Sequence, residues 1–202
     1  TRDQARVDVT PPVDCWVRVE NNHRRRYIRR GLNQNNGSAQ RDCFILRRDG
    51  TIEGAIDWDY DTITKVEAHP LDPQPLVLRG GIFTTTANQM KSPQGYNYWL
   101  RNIAITRSNT TVVGVTHHIV GEGEFGSPYN GFLAVQSCAN VTLRDCVVTG
   151  HKTYETIGAA RKPVSMGTYD LIANEVVNFT MEGVRMENIN DPTRWGVIGT
   201  NF

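Results

Sequence analysis

A repeat constrains this chain more than any other feature. Four segments superpose without gaps: 75–83 (PLVLRGGIF), 109–117 (NTTVVGVTH), 140–148 (NVTLRDCVV) and 178–186 (NFTMEGVRM). Their second, fourth, seventh and ninth positions are the candidate inward set. They hold Val141, Leu143, Cys146 and Val148 in one copy and Phe179, Met181, Val184 and Met186 in another. In the first copy the set is Leu76, Leu78, Gly81 and Phe83. The sixth position is Gly80, Gly114, Asp145 or Gly183. Two short strands broken by a bend explain the pattern, because Gly and Asp accept a positive φ more easily than other residues. The leading Asn109, Asn140 and Asn178 imply a second corner, where stacked amides can hydrogen-bond in a row.

Upstream of each leading Asn lies a further apolar run: 103–105 (IAI), 133–135 (LAV) and 171–173 (LIA), with 197–199 (VIG) opening the next. Each repeat therefore holds three short strands. The leading residues 75, 109, 140 and 178 are unevenly spaced, which predicts one corner that tolerates insertions. Helix-period patterns are scarce and alternating runs bounded by Gly, Asn, Asp and Pro are common. The expected fold is all-β: a right-handed parallel β-helix of three-strand coils over 68–202. Residues 1–67 lack the repeat and are expected to form a β-rich cap over its open end.

The coils resemble the right-handed β-helix superfamily of pectate-lyase-like proteins, which includes polysaccharide lyases, glycoside hydrolases and phage tailspikes. The stretches GEGEFGSPYNGF, GHKTY, PVSMGTYD and INDPTRWGVIGTNF are similar to bacterial and phage β-helix repeat proteins. The resemblance covers about residues 68–202. It implies a polysaccharide ligand, an extracellular, cell-surface or virion location, and a homotrimer if the assembly is tailspike-like. The residue sets of the polygalacturonase and pectate lyase branches are absent, so the resemblance transfers no catalytic residue.

Chemistry is expected where long insertions follow the third strand of successive coils. These carry His118, Glu122, Glu124 and Tyr129, then His151, Lys152 and Tyr154, then Asp191, Arg194 and Trp195. Stacked strands lie about 4.8 Å apart, so such loops would share one rim. Glycoside hydrolysis needs two carboxylates, one acting as acid and the other as base or nucleophile. Glu122 or Glu124 with Asp170 is the preferred pair. A lyase would instead use His151 and Lys152 as base and neutralising cation. Tyr129, Tyr154 and Trp195 suit sugar faces, with His118, Asp191 and Arg194 as polar contacts. The leading expectation is thus a polysaccharide-degrading glycoside hydrolase; the alternatives are a lyase and a non-catalytic glycan-binding or structural segment.

Other classes are disfavoured. No apolar run approaches the length of a membrane span. Charge nearly cancels, with 22 Lys+Arg against 21 Asp+Glu, so no global excess calls for nucleic acid. Residues 1–50 do hold 11 Arg against 6 acids, mostly through Arg24, Arg25, Arg26, Arg29 and Arg30, read as a solvated face. Four cysteines without a CxxC spacing argue against zinc ribbons, and Cys138 and Cys146 are expected as buried thiols. Adjacent His117 and His118 should diverge on a strand, so neither a metal nor another cofactor is expected. The string 121–126 (GEGEFG) lacks the strand-to-helix context of a dinucleotide loop. The start at Thr1 and the stop within a repeat read as a piece of a longer chain.

Overall fold

A computed structural model describes residues 1–26, 28–31, 34–87, 101–121, 130–149, 152–157, 163–167, 169–187 and 193–195. For Asn130 and residues 152–157, 163–167, 169–170 and 193–195 it describes the strand pairing alone. The described residues contain sixteen strands and no helix. Among the described residues no helix is long and apolar enough to cross a membrane.

The first four strands are β1 (Cys15–Arg26), β2 (Ser38–Leu46), β3 (Ile52–Glu53) and β4 (Lys65–Pro70). They form an antiparallel sheet in the order β3-β2-β1-β4. Alternation gives that sheet two apolar faces. Cys15, Val17, Val19, Phe44 and Leu46 pack under Ile52, Ile56, Val7 and Tyr60. On the opposite face Trp16, Cys43 and Ile45 pack against Ala139 and Val177 of the repeat region.

The repeat region follows. Its strands are β5 (Leu76–Arg79), β6 (Ile82–Thr86), β7 (Ile103–Ile105), β8 (Thr110–Val113), β9 (Thr116–Val120) and β10 (Asn130–Arg144). Then come β11 (Val147–Thr149), β12 (Lys152–Ile157), β13 (Pro163–Gly167), β14 (Tyr169–Glu182), β15 (Arg185–Glu187) and β16 (Thr193–Trp195). One parallel sheet runs β16-β14-β10-β8-β5, with β7 also on β10; a second runs β15-β11-β9-β6. The pairs match the repeat. Leu133 lies opposite Ile103 and Leu171, and Leu143 opposite Val112 and Met181. Ile82 and Val147 both pair with Thr116, and Val147 with Arg185.

The corners also follow the sequence. Gly80, Gly114, Asp145 and Gly183 all have positive φ. So do Asn109, Asn140 and Asn178, at 56–57°. Asn140 donates its amide to Asn109 Oδ1 at 2.8 Å, and Asn178 donates to Asn140 Oδ1 at 2.9 Å. Asn178 also donates to Glu53 Oε1, and Asn109 to the Asp72 carbonyl. The row therefore continues into the antiparallel sheet and its exit loop.

Between the two parallel sheets lies one core, built on Leu133, Leu143, Leu171, Val112, Val115 and Phe179. Leu76, Val77 and Ile82 of the repeat's first copy remain exposed, because β5 and β6 are edge strands. All four cysteines are buried thiols, Cys15 and Cys43 in the antiparallel sheet, Cys138 and Cys146 in the parallel core.

The expected right-handed parallel β-helix of three-strand coils with an N-terminal cap is not what the chain forms. Two of the sheets are parallel and two antiparallel, and the described residues make no closed solenoid. A repeat dictates which strands pair, but not how the chain travels between them. After β11 the chain enters an antiparallel hairpin, β12–β13, which forms a separate two-stranded sheet. The N-terminal sheet does not sit over the β5–β6 edge; it packs on the flank carrying Ala139 and Val177. Residues 193–195, rather than 197–199, pair with Leu171–Ala173.

Candidate functional site

Strands β9, β11 and β15 lie side by side and parallel, so the segments that leave their C-terminal ends begin at one edge. These are the segments expected to carry the chemistry. On β9 the two histidines part as alternation requires. His117 is buried, stacked on Phe132 at 4.0 Å and sharing a 2.9 Å hydrogen bond with Thr85 Oγ1. His118 is exposed on the other face. His117 thus belongs to the core, and His118 alone is available to a ligand.

Glu122, Glu124, Tyr129, His151 and Asp191 lie outside the described residues. Lys152 and Tyr154 fall on β12, with Lys152 opposite Gly167 in the hairpin. Asp170 is the second residue of β14, directly before the Leu171 that pairs with Leu133 and Thr193. Arg194 and Trp195 lie on β16, opposite Ile172 and Ala173. The backbone therefore brings Asp170, Arg194 and Trp195 to one pair of neighbouring strands. Lys152 and Tyr154 sit on a different sheet. Among the described residues no three His, Cys, Asp or Glu side chains are grouped to hold a metal ion.

Two carboxylates that the sequence did not single out have the most organised surroundings. Glu175, on β14, accepts hydrogen bonds from Arg18 at 2.7 Å, Arg41 at 3.2 Å and Ser137 at 3.2 Å. Its carbonyl accepts the Trp16 indole N–H at 3.0 Å. Arg18 and Arg41 in turn pair with Glu67 and Glu20. The acid sits at φ 54°, three residues before a leading Asn, where Ser137 occupies the equivalent place at φ 50°. That spacing was the available signal.

Asp42, on β2, is fully buried beneath the segment after Gly54. Its Oδ1 accepts the Asp57 N–H at 3.2 Å, while Oδ2 is buried without a hydrogen-bond partner. Burial pushes its carboxyl up to about 6, opposed by the Asp57 N–H and reinforced by the nearby Asp57 charge. Burial and Asp42 also push the Tyr60 phenol up. Neighbouring polar groups hold the same segment down: Gln40 donates to the Asp59 carbonyl at 3.0 Å, and Asn21 to Asp61 at 2.8 Å. Asp42 is sealed away from any rim chemistry and acts within the N-terminal layer.

No family model, curated protein or solved structure matches the chain.

Proposed function

We propose that the chain engages a polysaccharide along the edge where the segments after β9, β11 and β15 begin, and hydrolyses it with paired carboxylates. The parallel register of those three strands carries the reading, since it starts three polar segments at strand spacing. His118 is exposed on the first of these strands. Asp170, Arg194 and Trp195, by residue type a carboxylate, a cation and an aromatic, lie on the adjoining strands β14 and β16. Glu122 or Glu124 would be the partner of Asp170, one protonated and the other ionised. The test is digestion of a panel of neutral and charged polysaccharides by the purified chain. New reducing ends are the expected product. Ultraviolet absorbance from unsaturated uronates would replace hydrolysis with elimination. A panel left uncut would overturn the catalytic reading.

A further inference from the structure

The β1–β2 hairpin ends in a concentration of cations that the rim does not use. Arg24, Arg25, Arg26, Arg29 and Arg30 fall within seven positions, with His23 beside them. Their environments differ. Arg24 is neutralised by Asp61 and Arg26 lies over the Trp58 ring. Arg25, Arg29 and Arg30 are exposed and have no ion pair among the described residues. An open depression of about 410 Å³ lies here, lined by Ile28, Arg29, Arg30, Gln34, Asn35 and Asn36.

The depression is organised by its own backbone. Asn35 Oδ1 accepts the N–H groups of Arg29 at 3.1 Å and Gly37 at 3.0 Å, and the Asn35 N–H donates to the Arg29 carbonyl at 3.2 Å. This holds the Arg29 and Asn35 sides of the loop together, so the Arg29 and Arg30 cations and the amides line one cleft. Guanidinium groups bind carboxylate and sulfate oxygens through paired donors, and side-chain amides suit hydroxyl groups.

We infer that this hairpin tip is a binding site for the anionic groups of a charged polysaccharide. The inference rests on the polysaccharide reading above and narrows it to polymers bearing carboxylates or sulfates. A sugar polymer is favoured over a nucleic acid by what accompanies the cations. Three amide side chains line the cleft, and among the described residues the one aromatic ring contacting an arginine here, Trp58, is already covered by Arg26. Base recognition on a single strand relies on open aromatic faces.

The test is binding of the full chain to a sulfated glycan, to polygalacturonate, to neutral dextran and to a single-stranded oligonucleotide, each at low and moderate salt. The parent should bind the two charged glycans, with affinity falling as salt rises. The triple variant Arg25→Gln, Arg29→Gln and Arg30→Gln should lose about tenfold in that affinity, flatten its salt dependence and keep the parental melting temperature. Parental affinity in the triple variant overturns the inference, as does equal or tighter binding of the oligonucleotide. Cleavage of dextran with no binding of charged glycans overturns it while leaving the polysaccharide reading in place. Failure to bind or cut any glycan overturns both.

Discussion

Arg18 and Glu175 stand 157 residues apart in sequence and meet at 2.7 Å, joining the antiparallel sheet to the long strand β14. Both side chains are mostly buried. Glu175→Ala leaves two guanidinium groups short of an acceptor and should destabilise the chain by about 2–3 kcal/mol, read by urea unfolding. Because Glu175 has a positive φ, Glu175→Gly should cost about 1 kcal/mol less than Glu175→Ala. Equal losses would show that the ion pairs alone matter.

Asp42 sets a pH dependence. Its folded pKa of about 6 exceeds the ordinary 3.8. The folded state therefore holds this proton more tightly, and the contribution to stability is full below the ordinary value and lost as pH rises through about 6. A shift of this size corresponds to about 3 kcal/mol. Arg47 and Arg24 hold Asp14 and Asp61 below the usual range, and those groups act in the opposite direction, losing stability as pH falls. Comparison with Asp42→Asn isolates the term: between pH 4 and 7 the parent should lose stability relative to the variant. Parallel profiles would refute the assignment.

The asparagine row predicts a graded series. Asn140 is both donor and acceptor in it, at φ 56°. Asn140→Ala should cost about 3 kcal/mol, for two hydrogen bonds and the backbone strain together. Asn140→Gly removes the bonds without the strain and should cost about 2 kcal/mol. Thermal unfolding of both variants separates the two contributions.

Leu143 lies fully buried between Val112 and Met181. Leu143→Ala should cost about 2–4 kcal/mol through the cavity it leaves. Leu143→Asp should prevent folding, because an unpaired carboxylate would enter the apolar core. Parental melting of the Asp variant would contradict the packing described.

The proposed chemistry makes its own demand. Glu122→Gln, Glu124→Gln and Asp170→Asn should leave the melting temperature nearly unchanged, and the variant of each essential carboxylate should lose most turnover, about a hundredfold or more. Full activity in all three, on a substrate the parent cuts, would remove these carboxylates from the mechanism.

What the sequence revealed was what recurs locally. Gly114, Asp145 and Gly183 marked bends because a positive φ leaves its trace in the residue type. Leu133 and Leu171 marked paired strands because burial on one face repeats with the register. The route between strands left no such trace. The β12–β13 hairpin and the entry of Thr193–Trp195 into the sheet depend on partners brought from elsewhere in the chain. The seat of the N-terminal sheet was equally hidden, since it rests on Trp16 meeting Glu175 and on Asn178 meeting Glu53. For the candidate site, the sequence supplied residue types, and strand register placed only Asp170, Arg194 and Trp195 on adjoining strands.

The four buried thiols divide evenly between two layers. Desolvation pushes Cys15 and Cys43 up in the antiparallel sheet, and pushes Cys138 up to about 12 in the parallel core. Alkylating reagents attack the thiolate, so these groups stay unreactive until the layer around them opens. The rate at which each cysteine is labelled then reads the opening of its own layer. The protein carries a clock for each half of its architecture, with no residue changed.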